Sequence, residues 1–179
     1  MLKKYIFCIK GKKEEVILLS FFNKKKQMNI DIIEAPVIGE AVPSGEIADP
    51  TFKEELLGRG MAIKPTEGKV FAPVDGTVEM VFDTLHAISL RSGLGAEILI
   101  HVGLDTLKLQ GKYFNAHVKA GDVVRKGQLL LEFDLEGIKS EGYDTIIPIV
   151  ICNTDAYKDV ISNTGTKVKQ GDPVLELVK

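Results

Sequence analysis

From residue 30 onward the chain alternates short apolar segments with Gly, Pro and Asp turns, whereas before it lysine is dense and glycine nearly absent. Short apolar runs bounded by turn residues read as strands, because Gly supplies left-handed backbone, Pro presets φ, and Asp hydrogen-bonds its own turn. Ile30–Glu34, Val37–Val42, Met61–Lys64, Lys69–Ala72, Thr77–Phe82, His86–Leu90, Glu97–Val102, Gln128–Phe133, Thr145–Cys152 and Val174–Val178 all have this form. The expected fold is all-β, a compact antiparallel β-sandwich or barrel with short peripheral helices. The helices are expected at Pro50–Leu57 and Asp155–Ile161. Asp49 suits an N-cap, Pro50 the first helical position and Gly58 the stop; Asn153 or Thr154 could cap the second helix.

Two internal echoes point to duplicated half-motifs. Ala35-Pro36-Val37-Ile38-Gly39 resembles Ala72-Pro73-Val74-Asp75-Gly76, and Val118-Lys119-Ala120-Gly121-Asp122 resembles Val168-Lys169-Gln170-Gly171-Asp172.

Length and charge narrow the function. The 179 residues suit one domain with a substantial core, expected over residues 30–179, with residues 1–29 as a leader. A net charge of −2 lacks the basic excess of nucleic-acid binders, so no nucleic-acid partner is expected. Cys8 and Cys152 form no Cys-x-x-Cys pair, which speaks against a zinc knuckle or disulfide framework and fits a reducing compartment. The apolar runs Tyr5–Ile9 and Val16–Phe22 are too short to span a bilayer, and no small-residue cleavage site follows them. The expected location is the cytoplasm. The basic, partly apolar leader is either loosely ordered or in peripheral contact with a membrane surface.

Histidine is the scarce reactive residue: His86, His101 and His117. In Glu97–Val102, strand alternation puts Ile98, Ile100 and Val102 on one face and Glu97, Leu99 and His101 on the other. The Ser92–Gly95 loop joins this segment to His86–Leu90, so the two should pair as a hairpin that brings His86 near His101. Thr84 joins them if the strand extends back. A neutral imidazole is a competent nucleophile near neutral pH, a second can donate to phosphoryl oxygens, and a threonine hydroxyl can fix the second ring's tautomer. The same pair also suits zinc, since imidazole is a common ligand.

Four stretches then match a known family in order and spacing: Gly60-Met61-Ala62-Ile63-Lys64-Pro65, Ala72-Pro73-Val74-Asp75-Gly76-Thr77-Val78, Thr84-Leu85-His86-Ala87-Ile88, and Glu97-Ile98-Leu99-Ile100-His101-Val102-Gly103-Leu104-Asp105-Thr106. Gly121-Asp122, Gly127, Phe133-Asp134 and Pro148–Asp155 continue the match. The chain resembles the glucose-type IIA component of the bacterial phosphoenolpyruvate:sugar phosphotransferase system over about residues 30–179.

That resemblance implies a β-sandwich of duplicated half-motifs. It implies a phosphoryl carrier that takes its group from the phosphocarrier protein HPr and passes it to a cysteine on the IIB domain of a membrane IIBC permease. No cofactor or metal is implied, and a monomer suits a shuttle that presents one face to two partners in turn. His101 becomes the phosphorylated residue, His86 the ring that positions the phosphoryl group, and Thr84 the support of the histidine network. Asp49 and Asp105 become acidic positions around the site; Phe52, Leu56, Leu57, Phe82, Leu99 and Leu107 become an apolar docking ring. The family commonly has an aromatic where Leu99 stands and a serine where Cys152 stands. His117 lies outside the motifs and reads as a surface residue. A zinc hydrolase would want His-x-His or His-Glu-x-x-His, and a lipoyl-type carrier a Met-Lys or Asp-Lys pair at a turn; neither occurs.

Overall fold

Ile147-Pro148-Ile149-Val150-Ile151 is buried along its whole length, and that uninterrupted apolar run makes it the middle of a sheet covered on both faces. The computed structural model describes residues 30–179; the expected leader and its membrane contact lie outside the described residues. The strands are β1 (Ile30–Glu34), β2 (Gly39–Pro43), β3 (Arg59–Pro65), β4 (Lys69–Phe71), β5 (Gly76–Val81), β6 (Ala87–Ser92), β7 (Glu97–His101), β8 (Phe114–Ala116), β9 (Val123–Val124), β10 (Leu129–Phe133), β11 (Ile147–Ile151), β12 (Asp159–Ser162), β13 (Thr166–Val168) and β14 (Pro173–Val178). Two short helices, α1 (Pro50–Lys53) and α2 (Leu135–Ser140), accompany them.

Eight strands form one sheet in the order β13-β2-β3-β11-β7-β6-β5-β9, and β1-β14-β12 and β4-β10-β8 form two smaller ones. Every pairing is antiparallel. The large sheet has two ends, β13 and β9, so the sandwich and not the barrel describes the fold. Its inner face (Met61, Ile63, Ile98, Ile100, Ile147, Ile149, Ile151) closes the main core with Ile33, Val70, Leu130, Leu131, Leu175 and Leu177 from the smaller sheets. Its outer face carries a second, smaller cluster of Val42, Ala62 and Val150, capped by Ile47, Phe52 and Ile146. The segment between β2 and β3 thus folds back as a cover over the outer face.

The sequence echoes are structural echoes. Glu34 N donates to Pro73 O at 3.1 Å and Phe71 N to Pro36 O at 2.7 Å, so the two Ala-Pro-Val turns hold each other. In both Gly-Asp turns the aspartate accepts from the backbone N of the lysine three residues before, at 2.9 Å. Gly121 and Gly171 share φ +90°.

Some expected elements change. The first helix ends at Lys53 and continues to Leu57 only as turns, with Glu55 left-handed at φ +55°. No helix forms at Asp155–Ile161: a 3-10 turn at Thr154–Ala156 leads into β12, because Val160 is buried against the core and pairs with Leu177. Tertiary burial overrides the local pattern there.

Gly39 and Gly76 open β2 and β5 where a neighbouring strand passes too closely for a side chain. A Cβ would lie 2.1 Å from Lys64 O at the first and 2.2 Å from Arg91 O at the second. Gly39→Ala and Gly76→Ala are each expected to cost about 1–3 kcal/mol in thermal or denaturant unfolding. Gly45→Ala, with no atom within 4 Å of its Cβ, should be near neutral; equal melting temperatures for all three would contradict the packing described.

Candidate functional site

His101 ends β7 on the outer face of the large sheet, while Ile98 and Ile100 on the same strand are buried in the main core. Its ring Nδ1 lies 2.7 Å from the Gly103 carbonyl oxygen. A carbonyl only accepts, so Nδ1 carries the proton and Nε2 is left with a free lone pair. Gly103 can hold that carbonyl because it is left-handed at φ +75°, and a Cβ there would lie 2.5 Å from Thr106 Cγ2. The loop is pinned further. Gly103 N donates to Ile146 O at 3.1 Å, Leu104 N to Asp144 O at 2.9 Å, and the fully buried Thr106 donates its hydroxyl to Val102 O at 2.5 Å.

His86 sits immediately before β6, whose first residue, Ala87, pairs with His101 across the hairpin. The two imidazoles meet edge to face, centroids 4.8 Å apart and planes at 77°. Thr84 Oγ1 lies 2.5 Å from His86 Nδ1, but not by backward extension of the strand. Residues 83–85 form a turn in which Leu85 takes φ +55°, and the turn brings Thr84 round to the ring. A left-handed non-glycine residue costs about 1–2 kcal/mol. With the Thr84 hydroxyl donating to Nδ1, His86 carries its proton on Nε2 and can donate it to a group bound between the rings.

Two of the remaining expected residues, Phe52 and Phe82, flank the histidine pair. Asp49 caps α1, accepting from Thr51 N at 2.7 Å, and α1 sets Phe52 against His101 with ring centroids 5.2 Å apart. Phe82 packs on His86 at 5.4 Å. Leu99 packs against the outer cluster, one strand position pair away from His101 on the same face. Leu56, Leu57 and Leu107 are 68%, 43% and 50% exposed, so they are not core residues. Asp105 is left-handed at φ +60° and pairs with Lys108 at 2.7 Å. His117 stands apart, exposed on the β8 side and paired with Glu132 at 2.8 Å. Cys152 is exposed as a residue, but partial desolvation of its thiol, and then the nearby Glu97 and Glu79 carboxylates, raise its pKa, so it is not poised as a thiolate. Among the described residues, no three His, Cys, Asp or Glu side chains converge as a metal-binding group.

Two contributions escaped the strand pattern. Gly103 and Thr106 stand in the Gly103–Thr106 run, but only the three-dimensional loop reveals the carbonyl that orients His101. Met80, two residues from the buried Val78, should point inward by alternation. A bulge between them shifts its register, and Met80 pairs with Ser89 beside Leu99 on the outer face, half exposed.

A family profile described as "phosphoenolpyruvate-dependent sugar phosphotransferase system, EIIA 1" matches residues 31–157. The chain belongs to that family. This IIA chain is 50% identical over 144 residues to the beta-glucoside-specific EIIBCA component of Dickeya chrysanthemi, a match covering 80% of the chain and 23% of that relative. It is 43% identical over 149 residues to the glucose-specific EIIA component of Oceanobacillus iheyensis, covering 83% and 90% of the two. It thus spans about a quarter of the multidomain relative and most of the shorter one. Among solved structures it is similar to glucose permease IIA from Mycoplasma capricolum, with a TM-score of 0.77, 35% identity, and 82% and 95% of the chains covered. No described helix of this IIA chain is long and apolar enough to cross a membrane.

The electrostatics of the IIA site keep both rings neutral at physiological pH. His86 is pushed down to about 4, by burial first and by the charge of His101 second. Burial lowers His101 as well, against the opposing pull of the Gly103 carbonyl and the Asp49 and Asp105 carboxylates. The fold therefore favours neutral His86: its contribution to stability is complete above the ordinary value of 6.5 and is lost as pH falls towards about 4. Imidazole NMR titration should find His86 neutral until about pH 4; a midpoint near 6.5 would contradict this environment.

Proposed function

We propose that His101 Nε2 is the phosphoryl acceptor of this IIA domain, that phospho-HPr is the donor, and that a cysteine of a IIB domain in a membrane IIBC permease is the acceptor in turn. The observation that carries the reading is the occupied Nδ1 and free Nε2 of a half-buried, neutral His101 with a second imidazole 4.8 Å away. On acceptance, the His101 Nε2 lone pair forms the new N–P bond while the N–P bond of phospho-HPr breaks and its electron pair returns to the HPr imidazole. Positive charge develops on the His101 ring, where the Gly103 carbonyl and the Asp49 and Asp105 carboxylates favour it. The His86 Nε2–H donates to a phosphoryl oxygen, and Thr84 holds His86 in that tautomer. On donation, the IIB thiolate attacks phosphorus and neutral His101 leaves, recovering its lone pair.

Protein partners need a face to dock on. The exposed Leu56, Leu57 and Leu107 and the half-buried Phe82 and Leu99, backed by the buried Phe52, supply an apolar ring around the histidines, with Asp49 and Asp105 at its edge to steer basic partners. Residues 30–179 act as the carrier domain, in the cytoplasm and as a monomer.

With phosphoenolpyruvate, enzyme I and HPr, His101→Ala should take up no acid-labile label; labelling equal to the parent would overturn the assignment. His86→Gln should still be labelled, yet pass the group to IIB about 10²–10³-fold more slowly, the cost of losing one donor to the transferring group. Parent-like onward transfer by His86→Gln would remove His86 from the mechanism.

A further inference from the structure

We propose that Leu85 is a positioning residue for phosphoryl transfer: its left-handed backbone, braced by a side chain seated against the main core, holds Thr84 and His86 in their working arrangement. The inference rests on reading His86 and His101 as a phosphoryl-transfer pair.

The left-handed region is where a glycine sits freely and a branched aliphatic residue sits under strain. Leu85 nevertheless adopts φ +55°, between Thr84 and His86. Hydrogen bonds fix the backbone on both sides of it. Leu85 N donates to Phe82 O at 2.7 Å, Phe82 N to Ala87 O at 3.1 Å, and Val102 N to His86 O at 2.7 Å. The half-buried side chain packs against the main core, which the turn itself would not require. A strained conformation persists only where its surroundings over-determine it, and here the surroundings include the reactive pair.

The geometry gives that strain a use. The left-handed residue ends the β6 pleat at Ala87, the direct partner of His101, and leaves His86 free of strand alternation. It also folds Thr84 back to 2.5 Å from His86 Nδ1. Were Leu85 to relax into extended backbone, Thr84 would swing away from the ring. His86 would then lose the partner that keeps its proton on Nε2. The core-facing side chain is the brace, because the hydrogen bonds alone would serve a glycine equally well.

The test compares Leu85→Gly, which allows the left-handed turn but removes the brace, with Leu85→Met, which keeps an apolar brace. Two readouts separate positioning from stability. In Leu85→Gly the His86 imidazole midpoint, about 4 in the parent, should rise by about one unit or more as the ring becomes mobile and solvated. Onward transfer to IIB should fall by up to about 100-fold, the scale of a small misplacement, while labelling of His101 from phospho-HPr stays within about threefold of the parent. Leu85→Met should restore both readouts. A parent-like midpoint and onward rate in Leu85→Gly, or equal impairment in Leu85→Met, overturns the proposal. Should Leu85→Gly not fold, the same two readouts on Leu85→Ala decide it. Failure of the transfer reading would show elsewhere, as label on His101→Ala whatever happens at Leu85.

Discussion

The 2.7 Å hydrogen bond from His101 Nδ1 to the Gly103 carbonyl is the contact on which the proposed phosphoryl chemistry depends. It chooses the tautomer, and the tautomer chooses which nitrogen can attack. The carbonyl is in place only because Gly103 is left-handed, because no side chain fits between it and Thr106, and because Thr106 and Ile146 tie the loop to the sheet. One side-chain hydrogen bond thus draws on a glycine, a buried threonine and the residue just before β11. Positioning a catalytic ring through a partner on its other nitrogen is a common use of imidazole, and here the partner is the protein backbone itself.

The site can sit on a strand end because the large sheet is covered twice. The main core fills one face and leaves the other to a smaller cluster under Phe52 and Ile47. Side chains at alternate positions of β7 therefore divide between the main core and the outer face. Ile98 and Ile100 fill the first; Leu99 and His101 lie on the second, where the proposed partner contact would form. The segment that covers the small cluster sets the Phe52 ring against His101 and carries the exposed Leu56 and Leu57, so the proposed docking residues and the site share one short stretch of chain.

Much of this was legible in the residues. Alternation in Glu97–Val102 gave the correct face for Leu99 and His101, and the Gly-containing loop gave the hairpin, because both depend on local geometry. The Ala-Pro-Val and Gly-Asp echoes mark turns that really are equivalent. What stayed hidden depended on distant neighbours. The edge strands β8, β9, β12 and β13 are two to four residues long and owe their pairing to partners elsewhere in the chain. The helix α2 carries Gly137, a poor helix former, because the Tyr113 ring lies 2.6 Å from where its Cβ would be. The bulge that turns Met80 outward and the left-handed Leu85 that brings Thr84 to His86 are breaks in periodicity, which a periodic reading passes over.

The measurement that bears most directly on this account is long-range ¹H–¹⁵N imidazole NMR of the ¹⁵N-labelled, phosphorylated chain, which identifies the nitrogen bound to phosphorus. The account predicts phosphorus on Nε2 of His101, with the Nδ1 proton still held by Gly103. Phosphorus on Nδ1 of His101, or on either nitrogen of His86, would contradict it.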